Sequence, residues 1–446
     1  MLIEFSVSNF KSIKENKSLK LASVKKFSSN ELEDNISLPD KFYNVSTVKS
    51  AVLFGGNASG KSNMLNAIGV LSFLVTHSMD FKLDEKIAKY NPFKLCAKNK
   101  TSPTIFSIDF IANNIKYFYS IAFNENKFLK EELFFYPQTE KPRKTLIFKR
   151  ALGKKTQFGT NYEGTKEIEV YDNQLILSQV ATRPIKSLTA PFRFFSKYLF
   201  CSTIHDMRYD DAIIQSFTKL LNEQSSVFRA NINKLIRAAD TGIFEVRTKE
   251  YTEEAFKFPE DMPQKVKEEL IEKFRHRIKT VHNIYGNGDE DEKIIGEELF
   301  DITEESTGTI KLLVVGGLIL DALKDGSTII IDELDKSLHP LVSEMLIQLF
   351  NSPENNPNNA QLIFATHDIS LINRDLFRLD QIYFAEKDFK GISNYYRLSD
   401  FTNLSKVAPL SKWYLLGRFG ATPMIDEYEL SLDLNSVEKY ESQQVH

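Results

Sequence analysis

Residues Gly55-Gly56-Asn57-Ala58-Ser59-Gly60-Lys61-Ser62 fit the phosphate-loop pattern of a glycine, four further residues, then Gly-Lys-Ser. They directly follow the apolar run Ala51-Val52-Leu53-Phe54, which reads as a buried strand. Glycines at these places let successive backbone N–H groups turn inward around a polyphosphate. Lys61 then neutralises the terminal phosphates, and the Ser62 hydroxyl is placed to ligate Mg²⁺. Behind the loop, Met64, Ala67, Ile68, Leu71 and Val75 recur at helical spacing, so a helix N-terminus also points at the anion. A strand, this loop and a helix in that order constrain the chain to an α/β nucleotide-binding core.

At 446 residues the chain exceeds one ordinary domain, and two or three substructures are expected. A formal charge of −3 excludes global attraction to nucleic acid or acidic lipid, so any such contact must be local. Cys96 and Cys201 stand alone, with no CxxC pair and no Cys/His cluster for structural zinc, which suits a reducing cytoplasm. The N-terminus lacks a signal-like apolar core and no run is long enough to cross a bilayer, so no membrane association is expected.

Leu2 to Phe10 alternates apolar and polar residues, the period of a half-buried strand. From Thr104 to Tyr136 three such runs, broken at Asn113-Asn114 and at Asn124 to Asn126, read as an antiparallel meander added to the nucleotide core. Lys141, Arg143, Lys144, Lys149, Arg150, Lys154 and Lys155 then form a basic stretch without an acidic residue. It reads as a solvated, lysine-protected hairpin edge in preference to a DNA-binding patch, because no aromatic residues interleave as a stacking platform. Asp211 to Ala239 has the spacing of one or two amphipathic helices, Ile243 to Arg247 reads as a short strand, and Val266 to Phe274 as another helix. Gly286 to Glu292 is a polar loop.

A second set of residues suits the same chemistry. Thr328-Ile329-Ile330-Ile331 reads as a strand ending in Asp332-Glu333. Asp332 can hold Mg²⁺ through water, and Glu333 can polarise the water that attacks a γ-phosphate. Gln361 to Ala365 is a further strand, ending in Thr366-His367-Asp368, where His367 can contact the γ-phosphate or orient that water. Finally, Glu305-Ser306-Thr307-Gly308 precedes an apolar helix from Ile310 to Leu323, a serine and a glycine at a helix N-terminus.

Taken in order, these segments resemble the ATPase heads of the ABC superfamily. Within it the chain resembles the RloA-like AAA-type ATPases of prokaryotes, relatives of the SMC, RecF and OLD proteins. The segments that carry the likeness are Asn9 to Ser12, Asn57 to Asn63, Glu305 to Thr309, Asp332 to Pro340, Thr366 to Asp368, Arg378 to Ile382 and Gly417 to Ala421. Two departures stand out. Threonine at 307 replaces the middle glycine of the usual Ser-Gly-Gly signature, and Gln138, Gln174 and Gln179 compete for the place of the glutamine that follows the first lobe.

The resemblance implies ATP and Mg²⁺ as ligands. It also implies a homodimer or higher homo-oligomer, in which Ser306 and Gly308 of one copy close on the nucleotide held by Gly60, Lys61 and Ser62 of another. Asp335 to His339 would then cross the interface. Relatives of this kind act in anti-phage defence and abortive infection beside a separately encoded effector. Too few residues follow His367 for the nuclease domain of OLD-type relatives, so any effector is expected in trans. The expected fold is an ABC-ATPase-type head of two lobes, with mixed and antiparallel sheets and an inserted helical arm. Its segments are 1–200, 201–295 and 296–446. Two other readings remain, a RecF- or SMC-like DNA-maintenance ATPase and an ATP-binding scaffold without turnover, the latter opposed by the presence of Glu333.

Overall fold

The computed structural model describes residues 1–24, 32–37, 42–166, 170–202, 211–259, 261–286, 293–402, 404 and 408–423, with backbone alone at 202 and 211–213. Most of the polar loop expected at Gly286 to Glu292 lies outside them. In chain order, β1 (Leu2–Ser8) and β2 (Lys17–Lys20) precede β3 (Ser50–Phe54) and α1 (Lys61–His77). The short α2 (Ala97–Thr101) leads to β4 (Thr104–Ala112), β5 (Ile115–Phe123), β6 (Phe128–Tyr136), β7 (Thr145–Ala151) and β8 (Gln157–Phe158). Next come α3 (Lys186–Lys197), β9 (Leu199–Ser202), α4 (Asp211–Glu223), α5 (Ser226–Ala238) and β10 (Glu245–Glu250). They are followed by α6 (Gln264–Phe274), β11 (His276–Tyr285), β12 (Ile294–Asp301) and α7 (Thr307–Asp325). The last elements are β13 (Thr328–Ile331), α8 (Pro340–Asn351), β14 (Gln361–Ala365), β15 (Ile382–Lys387), β16 (Ser393–Arg397) and α9 (Leu410–Leu415).

Among the described residues these strands form three sheets. The central one runs β16-β15-β3-β14-β13-β9, parallel throughout except for the antiparallel edge strand β16. Its inner strands are apolar without alternation because both faces are covered. On β3, Val52 and Phe54 join a core shared with α4, α5, α7 and α8, whereas Leu53 joins a second core with α1, α3 and the antiparallel sheet. The parallel sheet is therefore the partition between two hydrophobic cores.

The antiparallel sheet, β2-β1-β4-β5-β6-β7-β8, contains the meander at the expected residues. Its aromatic-rich inner face, including Phe5, Phe106, Phe110, Tyr119 and Phe123, packs over α1 and α3. The third sheet, β10-β11-β12, lies between α5 and α7 in sequence. The sequence pattern indicated only a short strand there, beginning slightly before β10. β11 and β12 went unread because β12 exposes residues on both faces and so carries no alternation. The expected arm is thus part sheet, and its helices are not free-standing: Phe217 of α4 and Leu235 of α5 share the core of α7. Since β9 reaches Ser202 and β12 spans 294–301, the segment boundaries at 200 and 295 fall inside strands. Among the described residues, no helix is long and apolar enough to cross a membrane.

Gln361, at the start of β14, staples the parallel sheet to the N-terminal strand. Its Oε1 accepts from Leu2 N at 2.6 Å and Thr328 Oγ1 at 3.0 Å, and its Nε2 donates to Leu2 O at 3.0 Å and Val48 O at 3.3 Å. A Gln361→Leu substitution leaves these buried backbone groups unpaired and should destabilise the fold by about 2–4 kcal/mol in denaturant melts. A loss below about 0.5 kcal/mol would show that the staple contributes nothing net.

Candidate nucleotide-binding site

All the strands that feed the site end on one edge of the parallel sheet, where a doubly wound fold opens its crevice. β3 delivers the phosphate loop, β13 delivers Asp332 and Glu333, β14 delivers Thr366 and His367, and β15 delivers Lys387. Together Asn57, Ala58, Ser59, Gly60, Lys61, Ser62, Asn63, Asp332, Glu333, His367 and Lys387 line a cleft of about 430 Å³. Gly55 and Gly56 form its root, with Lys61 Nζ donating to their carbonyls at 2.7 and 3.2 Å. At the head of α1 the backbone N–H groups of Lys61 and Ser62 are among those that a helix leaves without an intrahelical acceptor.

The loop owes its shape to residues far away in sequence. Gly60 adopts φ 111, and a Cβ there would collide with Ser393 of β16. Ser393 Oγ donates to Ser59 O at 2.6 Å, and Tyr395 OH donates to Gly60 O at 2.7 Å. Ser12 completes this buttress: its hydroxyl accepts from Asn63 Nδ2 at 2.6 Å and lies in hydrogen-bond contact with Ser393 Oγ at 2.7 Å. A C-terminal strap holds the other end. Ala421 O accepts from Gly56 N at 2.9 Å and from Tyr414 OH at 3.1 Å, which places the Gly417-to-Ala421 segment of the resemblance against the phosphate loop.

Charge is concentrated in the cleft. Lys61 is only 5% exposed; burial pulls its pKa below the ordinary lysine value, opposed by Asp332, then Glu333 and Asp335. Lys11 is also lowered by burial, with Asp332 acting in the opposite sense and Lys89 adding to the lowering. Asp332 is buried, and its Oδ1 makes no hydrogen bond among the described residues. An orphaned carboxylate oxygen in the cleft that Ser62 also lines fits a hard divalent cation, which takes oxygen ligands. Since no group of three or more His, Cys, Asp or Glu suited to a metal occurs among the described residues, the remaining ligands would be phosphate oxygens and water.

Glu333 takes the left-handed conformation, φ 54, as does Ser337 at φ 64, so the chain turns sharply just after β13. Asp335 Oδ2 accepts from His367 N at 3.3 Å, which fastens this turn to the end of β14. Lys311 of α7 fastens it from the other side, with Nζ donating to Glu333 O and Lys336 O, both at 2.7 Å. Burial brings Lys311 down to about 8, against Asp335 and Glu333.

Ser306 and Gly308 are not brought into this cleft. Ser306 is the exposed N-cap of α7, its Oγ accepting from Thr309 N at 3.1 Å. The preceding Glu305 is anchored to β11, its Oε1 accepting from Thr280 Oγ1 at 2.5 Å and lying 2.8 Å from His282 Nε2. None of the three glutamines lines the cleft either. Gln138 Nε2 donates to Asn114 O, Gln174 spans Met79, Phe81 and Tyr171, and Gln179 is buried.

Of the basic stretch, Lys141, Arg143, Lys144, Lys149, Lys154 and Lys155 are exposed, as the solvated hairpin-edge reading expects, and three of the seven residues also make contacts within the fold. Arg150 is buried and donates to Gln174 O at 2.7 Å and Tyr171 O at 3.1 Å. Lys144 covers the rings of Phe118 and Phe134, its Nζ 3.3 and 4.5 Å from their centroids. Lys149 lies 3.9 Å from Glu132. Sequence reading missed Ser393, Tyr395, Lys387 and Lys311 in the site, because each reaches it through a tertiary contact with no local signature.

Residues 50–373 match the family model described as "AAA domain, putative AbiEii toxin, Type IV TA system". No curated protein matches the chain. Similar solved structures include the SMC head domain from Thermotoga maritima, with 12% identity, 89% of this chain and 98% of that chain covered, and a TM-score of 0.37. An SMC head bound to the C-terminal winged-helix domain of ScpA has 12% identity, coverage of 89% and 97%, and a TM-score of 0.41. An SMC head with an extended coiled coil, bound to the C-terminal domain of ScpA derived from Pyrococcus furiosus, has 12% identity, coverage of 89% and 96%, and a TM-score of 0.40. The family match spans well over half of the sequence and takes in the phosphate loop, the N-terminus of α7, the carboxylates after β13 and His367. The chain belongs to this family of AAA domains.

Proposed function

We propose that the chain hydrolyses ATP as a nucleotide-dependent dimer, each cleft being completed by the α7 N-terminus of a second copy. One observation carries the reading: the phosphate loop, Asp332, Glu333 and His367 converge, whereas Ser306 stands exposed outside the cleft they form. An exposed helix N-terminus carrying a serine and a glycine is suited to an anion.

In this scheme, backbone N–H groups from Asn57 to Asn63 and the Lys61 ammonium bind the β- and γ-phosphates. Ser62 and Asp332 would hold Mg²⁺, which when bound would supply positive charge against the phosphates. Glu333 accepts a proton from the attacking water, and His367 fixes the water and the γ-phosphate in line. Ser306 and Gly308 of the second copy donate to the charge that develops on the transferred phosphoryl group. Binding then favours a closed assembly and hydrolysis releases it, a two-state switch.

The switch would act in anti-phage defence, holding or freeing a separately encoded effector, a reading supported by the putative toxin and toxin–antitoxin wording of the family description. Of the basic stretch, the DNA-maintenance reading loses Arg150, which is buried and holds main-chain carbonyls.

Glu333→Gln should cut steady-state turnover by about a hundredfold or more while leaving ATP bound, and light scattering should show the dimer persisting. Unaltered turnover would remove Glu333 from the chemistry. Ser306→Arg should abolish ATP-dependent dimerisation, and full turnover by a monomeric Ser306→Arg protein would end the shared-site scheme. Gly60→Ala, which drives a methyl group into Ser393, should weaken binding of a fluorescent ATP analogue by about tenfold or more. Unchanged affinity would show that the β16 buttress does not set the loop's geometry.

A further inference from the structure

The first turns of α7 touch the carboxylate turn after β13 at both ends. Gly308 lies so close that a Cβ there would stand 2.6 Å from Ser337 O, and one helical turn later Lys311 donates to Glu333 O and Lys336 O. Residues three apart on a helix share a face, so these contacts come from one side of α7. Ser306 sits at the exposed tip of the same helix. Lys311 is 4% exposed, and a buried ammonium is retained in such a place only when acceptors and opposite charge meet it. Here the acceptors are two main-chain carbonyls of a turn whose residues Glu333 and Ser337 both hold the left-handed conformation. That conformation is disfavoured for a residue with a side chain and persists only where its surroundings impose it.

We infer that Lys311 is a positioning residue that links the two nucleotide sites, transmitting contact made at Ser306 with one ATP to the placement of Glu333 over the other. The inference rests on the dimeric reading above. Ser306 faces the nucleotide of the second copy, whereas Glu333 faces the nucleotide of its own. The helix between them is a stiff rod held to the Glu333 carbonyl by a charged hydrogen bond. A small displacement of the α7 tip therefore moves the main chain of the residue that orients the water, and misplacement of that order is costly to rate. Engagement of one ATP prepares hydrolysis of the other, and turnover becomes cooperative in ATP.

The test compares Lys311→Met, Lys311→Arg and Ser306→Arg in the full chain, by ATPase kinetics and by ATP-dependent dimerisation. Lys311→Met should lower kcat by about tenfold or more with KM changed less than about threefold, and should remove the sigmoidal dependence on ATP. Dimerisation should persist, since Ser306 and the phosphate loop are intact. Lys311→Arg, which can still donate to both carbonyls, should recover most of kcat. A purely structural lysine predicts instead a lower melting temperature with kcat, cooperativity and KM unaltered in the folded fraction, and that result overturns the inference. Should Lys311→Met fail to fold, Lys311→Gln, able to donate to one carbonyl or both only weakly, provides the same comparison. If Ser306→Arg leaves turnover and dimerisation intact, the shared-site reading fails. If Ser306→Arg abolishes both while Lys311→Met retains wild-type kcat and cooperativity, only the role of Lys311 fails.

Discussion

Burying the Lys61 ammonium is the constraint around which the cleft is arranged. A cation removed from water is tolerated only where opposite charge and acceptors compensate, and here Gly55 O and Gly56 O accept its protons while Asp332, Glu333 and Asp335 oppose the effect of burial. The same lysine is the group expected to meet a triphosphate. Under the ATPase reading, one ammonium then faces carboxylates and phosphates together, an excess of negative charge that a divalent cation beside Asp332 would offset. The orphaned Oδ1 of that residue is consistent with this division of labour.

Sheet order brings the compensating charges within reach. β3 lies between β15 and β14, with β13 next beyond β14, so residues from the 50s, 330s, 360s and 380s leave adjacent parallel strands on the same edge. Pairing of Val52 with Phe364 and of Ile331 with Phe364 sets the strand ends level, and Leu334 N and Thr366 N each bond across to a neighbouring strand. The two cores on either side, with α1 in one and α7 in the other, keep this edge from shifting. Rigidity of the platform is what allows short loops to hold a reactive geometry.

Legibility in the sequence follows the reach of each signal. The buried strand before the phosphate loop, the helix after it and the three strands of the meander are local patterns, and each could be read from spacing alone. β12 could not, because Ile294, Ile295, Leu299 and Phe300 are exposed and the strand has no single buried face to impose a period. Arg150 looked like a solvent-facing cation, yet it is buried and holds main-chain carbonyls, whereas Lys144 is exposed as expected and also lies over aromatic rings. The buttress of Ser12, Ser393 and Tyr395 combines residues from the two ends of the chain. A serine among serines gives no sign that it will close on a glycine more than three hundred positions away.

The packing of α7 explains why one copy cannot easily complete its own cleft under this reading. To reach inward, Ser306 would have to carry with it the helix that Gly308 seats against Ser337 O and that Lys311 pins to the carboxylate turn. It would also have to release Glu305 from Thr280 and His282. The contacts of Lys311 and Glu305 are partly buried hydrogen bonds that involve charged groups, each worth about 1.5–3 kcal/mol when lost without replacement. Presenting the serine to a second molecule requires none of these losses. The fold thus favours the intermolecular arrangement by making the intramolecular one expensive, and the same contacts that hold Ser306 outward are those that tie it to Glu333.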